Sequence, residues 1–338
     1  MLLVKLSSLG DVVHALPLVE SLRAGLGPGA QISWAVERRF ADLVRGNPHL
    51  DGVYELERKA TPEVVSFGRV LARERFDTAL DAQGLLVSGL VTRLSGARVR
   101  IGWDAGREGN RLFLTDPVVP YGGRVHVVDR LLGFCDALNV PRREPGVQAY
   151  LADAEAEAAD RLLDEAGDGP RVGCIIGAST PEKAWPAERW AQVARLLASD
   201  GLRVILLGSK GEAETAARIV EDAGGAVAAN LVGRTGTIRT LASTLARCAA
   251  VLGGDSGPTH LAVAVGAPVV GLYGVTDPAR TGPDWGAAPA VVLDLAERDA
   301  PPEQRRPRHA TLSDALARIP ASAARDAVLK LLSSVPPK

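Results

Sequence analysis

Cysteine is scarce. Three residues in 338 (Cys135, Cys174 and Cys248) each sit inside an apolar run, and an odd, small number of this kind excludes a disulfide scaffold and fits buried thiols. There is no C-x-x-C pair and no H-E-x-x-H, so neither a structural nor a catalytic zinc is expected. The absence of any Asp-x-Asp weighs against a divalent metal holding a sugar diphosphate. Long apolar runs are missing too. The longest, Leu261 to Val275, is broken by Gly266, Pro268, Gly271 and Gly274 and reads as a helix end plus a buried strand rather than a membrane span. The first residues carry no basic lead and no cleavage site, so a secretory leader is not expected and a cytoplasmic protein is. Neither sign of charge dominates: 39 Lys and Arg stand against 40 Asp and Glu, a net charge of −1. That balance excludes a strongly basic nucleic-acid binder, and with 46% hydrophobic residues it also excludes a disordered chain. Lysine is rare, with six positions in all, so each lysine in a loop is conspicuous.

What is present is a rhythm of strand, short loop and helix. Strand-like runs fall at 2–5, 32–36, 53–56, 77–81 and 99–102, with helical periodicity near 12–24, 38–46, 62–74, 86–95 and 126–138. The second half restarts with a helix near 153–166. It continues through strands at 171–176, 203–207, 250–253 and 268–272 and helices near 187–199, 212–222, 238–246 and 258–264. Segment 277–310 reads as mostly loop and 312–334 as a closing helix interrupted by Pro320. Alternation of this kind predicts parallel sheets covered on both faces, and two such series predict an α/β chain of two Rossmann-like, doubly wound domains. The expected domains are 1–150 and 151–338, joined by a linker within 140–153 that carries Pro141, Pro145 and Gly146.

In open parallel sheets ligands bind beyond the carboxyl ends of strands, and four such loops carry chemistry. In Lys5-Leu6-Ser7-Ser8-Leu9-Gly10-Asp11, Gly10 suits a positive-φ turn and Asp11 opens a helix. That aspartate is either an N-cap or a carboxylate available as a general base, and His14 one turn on reads as a packed or exposed histidine. In Gly253-Gly254-Asp255-Ser256-Gly257-Pro258-Thr259-His260 the glycines permit close backbone approach. The helix start offers N–H groups to a phosphate, Pro258 suits a first helical position, and the hydroxyls of Ser256 and Thr259 add donors. Gly177 to Pro186 contains Ser179, Thr180 and Lys183, a hydroxyl-rich loop whose lysine suits a diphosphate. Gly208-Ser209-Lys210-Gly211-Glu212 offers a carboxylate to ribose hydroxyls or merely to a helix start. Gly254-Asp255-Ser256-Gly257 matches the nucleophile loop of chymotrypsin-like proteases only superficially, since it joins a strand to a helix. Gly25-Leu26-Gly27-Pro28-Gly29 ends a helix and is a turn rather than a dinucleotide loop.

Together these residues resemble the ADP-heptose:lipopolysaccharide heptosyltransferases, family 9 of the glycosyltransferases. Five blocks carry the resemblance in order from position 1 to about 280: Lys5 to Pro17, Asp81-Ala82-Gln83-Gly84-Leu85 with Val91 to Leu94, Lys183 to Trp190, Asp255 to Leu261, and Tyr273-Gly274-Val275-Thr276-Asp277-Pro278. Within the family the chain is most similar to the heptosyltransferase I branch, which adds the first heptose to the Kdo residue of the inner core. The resemblance implies two Rossmann-like domains facing across a cleft (the GT-B fold) and an inverting, metal-independent transfer from ADP-heptose that needs no cofactor. It implies Asp11 as base and Lys183 as a catalytic ligand of the donor phosphates. Glu212 would then hold ribose, and Gly233, Arg234 and Thr235 would lie near adenine. Ser179, Thr180 and the loop Asp255, Ser256, Gly257, Pro258, Thr259 and His260 would complete the donor site, and Ser8, Gly10, Arg58, Lys59, Gln83 and Arg107 would meet the acceptor. Where the family carries a basic cluster for its acceptor, only Arg58-Lys59 and Arg69 stand here. The implied partners are a nucleotide sugar and an anionic glycolipid or glycan, with no nucleic acid and at most peripheral membrane association. The strand and helix pattern alone also admits a nucleotide-sugar 2-epimerase or a non-catalytic nucleotide-sugar-binding protein.

Overall fold

The computed structural model describes residues 1–146, 149–294 and 316–334. The chain divides into two compact units, Met1–Tyr150 and Leu151–Lys338.

In the first unit, strands β1 (Leu2–Val4), β2 (Ser33–Glu37), β3 (Gly52–Leu56), β4 (Thr78–Asp81), β5 (Val99–Trp103) and β6 (Asp116–Val119) form one sheet in the order β3-β2-β1-β4-β5-β6. Every neighbouring pair is parallel. The crossovers are helices α1 (Leu9–His14), α2 (Leu16–Leu26), α3 (Arg38–Val44), α4 (Thr61–Arg73) and α5 (Leu86–Leu94), and α6 (Val127–Ala137) follows β6. One core face packs Leu2, Val4, Ala35, Leu56 and Ala79 of the strands against Val64, Phe67 and Leu71 of α4 and Val91 of α5. These strand residues alternate along the chain, as a sheet covered by helices requires.

The second unit repeats the plan. Strands β7 (Arg171–Ile175), β8 (Arg203–Leu207), β9 (Val227–Asn230), β10 (Ala250–Gly254), β11 (Val269–Tyr273) and β12 (Ala290–Asp294) pair in the order β12-β11-β10-β7-β8-β9, again all parallel. Counted from β7, this is the strand order of the first sheet. Around it lie α7 (Asp153–Leu163), α8 (Ala187–Ser199), α9 (Ala213–Ala223), α10 (Ile238–Ala246), α11 (Gly257–Ala264), α12 (Pro278–Thr281) and α13 (Ala321–Ser334). Val172, Cys174, Val204, Leu206, Leu252 and Leu272 form a single core with Trp190, Val193 and Leu197 of α8, Ile219 of α9 and Val328 and Leu331 of α13.

Four details differ from the sequence reading. The expected helix over 12–24 is two helices. Pro17 has no N–H to continue the ladder, and α1 closes at Ala15, whose N–H donates to the Val12 carbonyl (3.1 Å). Gly10 lies inside α1 and is not among the positive-φ residues; extended Ser8 (φ −82°, ψ −172°) makes the turn instead. Strands β6, β9 and β12 went unpredicted, and all three are sheet edges; β6 and β9 have four residues each and little apolar density, whereas β12 lay inside the segment read as loop. Pro117 in β6 is tolerated because an edge strand need not donate on both sides. Segment 277–310, read as loop, contains α12 and β12, with turns and bends over 282–289 between them; 295–310 and the start of the predicted helix at 312–315 lie outside the described residues.

Candidate active site

Strand order reverses at β1 and β4 in the first sheet and at β7 and β10 in the second. The crevice beyond the carboxyl ends at such a switch point is where doubly wound sheets bind ligands, and each unit places a lysine–aspartate pair there.

In the first unit Lys5 follows β1. Its Nζ donates to the Ala82 carbonyl beyond β4 (3.1 Å) and to Asp11 Oδ1 (3.3 Å). Asp11 is the third residue of α1, so it does not open the helix as the sequence reading had it. Its Oδ2 accepts from the backbone N–H (3.0 Å) and the hydroxyl (2.8 Å) of the N-cap, Ser8, the carboxylate half of a capping box. Partial burial alone would raise the Asp11 carboxyl. The Lys5 charge and the Ser8 bonds outweigh it, and the net shift is downward, below the ordinary carboxylate value. Asp11 is therefore ionised at neutral pH, and with its side chain 41% exposed it can be reached by a substrate.

Neighbouring loops converge on the same turn. Gln83 Oε1 accepts from the Ser7 N–H (3.2 Å), and Lys59 Nζ donates to Ser7 Oγ (2.6 Å) while pairing with Glu37 Oε1 (2.5 Å). Arg107 is tied to the loop after β4 by its N–H to the Gly84 carbonyl (3.0 Å). Ser8, Gly10, Asp11, Lys59 and Gln83 are thus brought together. Arg58 is exposed and makes no hydrogen bond or ion pair among the described residues. The charge of Lys59 is already matched by the buried Glu37. His14 is buried edge-on against His126, with ring centroids 6.2 Å apart.

The loop after β4 is built on Asp81, which is fully buried. Its Oδ1 accepts from the N–H groups of Gln83 (3.1 Å) and Gly84 (3.0 Å), and its Oδ2 accepts from Asn110 Nδ2 (2.6 Å) and Ser88 Oγ (3.1 Å). Burial raises this carboxyl even against those four bonds. Sequence reasoning quoted Asp81 and Lys5 only as letters of a motif and missed what they do. The rarity of lysine was the one signal that could have singled out Lys5.

In the second unit Lys183 Nζ lies 2.7 Å from Asp255 Oδ2, and His260 Nε2 lies 3.1 Å from Asp255 Oδ1. The Asp255 side chain is 9% exposed. Burial would raise its carboxyl, but the bonds and charges of His260 and Lys183 hold it well below the usual carboxylate range. Gly254 keeps room for this pairing, since a Cβ there would sit 3.3 Å from the Lys183 carbonyl. Ser256 is the N-cap of α11, and Pro258 stands at the second helical position, one beyond that expected. Thr259 is buried and its hydroxyl donates to the Gly254 carbonyl (2.7 Å). It braces the loop and is not the outward donor expected, because a buried hydroxyl must spend its hydrogen locally.

Glu212 Oε2 accepts from the Ser209 N–H and hydroxyl, both at 2.7 Å. It lies over two strand-end glycines: a Cβ on Gly177 would stand 3.2 Å from its Cδ, and one on Gly208 would stand 3.3 Å from its Oε2. Gly233 (φ +71°) donates its N–H to the Gly208 carbonyl (2.9 Å) and so joins this loop. Ser179 and Thr180 are exposed ahead of Lys183. Arg234 is turned to Glu165 at 2.7 Å through Nη1, and Thr235 is half-buried beside it. Below the Lys183 loop, Trp185 donates its indole N–H to the Ile319 carbonyl (3.2 Å) and meets Trp190 edge-on at 4.9 Å. Among the described residues no group of three or more His, Cys, Asp and Glu is placed to hold a metal ion.

Residues 64–310 match the profile of glycosyltransferase family 9 (heptosyltransferase). The lipopolysaccharide heptosyltransferase 1 of Pseudomonas aeruginosa is 32% identical over 83% of this chain and 80% of its own. Among solved structures, the E. coli heptosyltransferase WaaC with ADP superposes with a TM-score of 0.75 at 27% identity, covering 98% of this chain and 99% of that one. The family 9 glycosyl transferase of Veillonella parvula shares the fold at a TM-score of 0.86 and 23% identity, over 99% and 97% of the two chains. Two Rossmann-like units of one strand order are the architecture of the GT-B transferases. The chain therefore belongs to glycosyltransferase family 9, the heptosyltransferases, and is a glycosyltransferase.

Proposed function

We propose that this enzyme moves a heptose from ADP-heptose to the Kdo-bearing inner core of lipopolysaccharide, or to a related anionic glycan, with inversion at the anomeric carbon and without a metal. The first unit receives the acceptor and the second the nucleotide sugar. ADP, which the WaaC relative carries, suits the second unit: Lys183 and the start of α11 offer positive charge and N–H groups to two phosphates. Glu212 offers a carboxylate oxygen to ribose, with Gly233, Arg234 and Thr235 on the adenine side.

The observation that carries the reading is the Asp11 carboxylate: ionised, reachable, and anchored by Lys5 and Ser8 at a switch point. As the acceptor oxygen bonds to the anomeric carbon, its proton passes to Asp11. The bond from that carbon to the diphosphate breaks, and ADP leaves with the electron pair. A positioned base contributes about 10²–10⁴-fold. Lys183 and the α11 N–H groups stabilise the charge gathering on ADP. Ser8, Gly10, Lys59, Gln83 and Arg107 line the acceptor side, and Arg58 supplies an unmatched cation for an anionic sugar.

A lipid-linked acceptor places the work at the inner face of the cytoplasmic membrane through peripheral contact at most; no helix among the described residues is long and apolar enough to cross a membrane. The test is Asp11→Ala. Transfer is abolished while ADP affinity stays within a few-fold; equal loss of both reduces Asp11 to a helix cap. Incubating the donor alone and analysing the product separates transfer from epimerisation.

A further inference from the structure

Lys5 is 5% exposed, an unusual place for an ammonium group. Its backbone is fixed on both sides: its N–H donates to the Ala35 carbonyl (3.2 Å) and its carbonyl accepts from Trp34 Nε1 (3.0 Å). Its side chain spans the switch point to the Ala82 carbonyl and to Asp11. That carbonyl is itself held in place, because the Ala82 N–H donates to Val4 (3.1 Å) and Asp81 takes the next two N–H groups. The ammonium therefore has one neutral acceptor and one carboxylate, and the carboxylate is the group read above as the base.

We infer that Lys5 is a positioning residue for transfer: it fixes Asp11 Oδ1 in place until the acceptor proton arrives. The inference rests on the reading of Asp11 as base. The other ionisable groups packed around α1 are committed elsewhere. Lys59 and Arg39 pair with Glu37, His14 meets His126, and Asp81 is surrounded by four donors. Lys5 is the residue whose charge opposes burial at Asp11. In the second unit a lysine also spans the switch point, there directly to an aspartate.

The test follows the Asp11 carboxyl directly by ¹³C NMR titration of the full chain, which requires no turnover, alongside the pH dependence of kcat. In Lys5→Met the Asp11 titration and the acidic limb of kcat move up together by about one pH unit, the lower end for removing an opposite charge at this range. At neutral pH, kcat falls about tenfold with ADP affinity unchanged. An unmoved Asp11 titration overturns the inference. Lys5→Arg keeps the charge but not the reach, and serves if the methionine variant fails to fold. Asp11 then stays low while kcat drops severalfold, and wild-type kcat in that variant overturns the inference. Asp11→Asn is scored separately. Wild-type turnover there defeats the base reading, whereas an unmoved titration in Lys5→Met defeats only the role of Lys5.

Discussion

Replacing Asp255 with asparagine keeps the shape of the side chain and removes its charge. The carboxylate holds Lys183 at 2.7 Å and His260 at 3.1 Å with 9% of its side chain exposed. Breaking a buried pair by neutralising one partner costs about 3–5 kcal/mol. Lys183 is 23% exposed, so water recovers part of that, and the amide keeps one neutral hydrogen bond. The expected loss is about 2–3 kcal/mol, below the roughly 3–6 kcal/mol of two charge-assisted bonds at about 1.5–3 kcal/mol each, because the amide keeps one bond and Lys183 regains water. For a unit of this size about 1 kcal/mol moves the melting temperature by roughly 2–4 °C, so Asp255→Asn melts about 4–12 °C lower at pH 7. The pH series fixes the cause. A carboxyl depressed in the folded state stabilises above its unfolded value and ceases to do so as pH falls through the folded one. The part of the gap between wild type and variant that comes from the Asp255 charge is therefore lost progressively below about pH 4. A gap under about 1 °C at pH 7, or one that persists unchanged to pH 3, refutes the assignment of Asp255 as the charged centre of this loop.

Further outcomes follow from the same geometry. Gly253→Ala places a Cβ 2.6 Å from Thr259 Oγ1 and 3.1 Å from Ile175 Cβ, both buried; overpacking of this kind costs about 1–3 kcal/mol, read by denaturant unfolding, with weaker ADP binding by calorimetry. Transfer continues in excess EDTA, and complete loss there contradicts the metal-free proposal. Cys135, Cys174 and Cys248 are all buried, and burial pushes the Cys135 thiol up to about 11 and Cys174 higher still. All three therefore stay unreactive toward a disulfide reagent in the native protein at pH 8 and react on unfolding.

The two sheets were legible because their inner strands are short apolar runs between helical periods, and burial on both faces imposes that pattern. The edges were not. Val227–Asn230 is half alanine and Asp116–Val119 contains a proline, and neither carries the apolar density that marks a buried strand. Loops with chemistry stood out wherever glycine, hydroxyl and lysine met at a strand end. What stayed hidden was pairing. Letters at 5 and 82, or at 183 and 255, do not reveal that strand order brings the Lys5 ammonium to the Ala82 carbonyl and Lys183 to Asp255. Asp81 was the least visible, since a carboxylate consumed by four local donors leaves no periodic trace. Thr259 was misread for a related reason: whether a hydroxyl points to a ligand or back to its own loop depends on burial, which one residue's neighbours in sequence do not set.

The niche under Glu212 imposes a rule on related chains. A carboxylate near a helix start is commonplace and by itself says little about sugar recognition. Two strand termini, thirty-one positions apart, leave this carboxylate its present place by carrying no side chain, since a Cβ at either would crowd it at 3.2–3.3 Å. Bare residues at 177 and 208 are thus a better diagnostic of the ribose contact proposed for Glu212 than the glutamate itself. A homologue that fills either position is expected to have moved that duty to a different side chain.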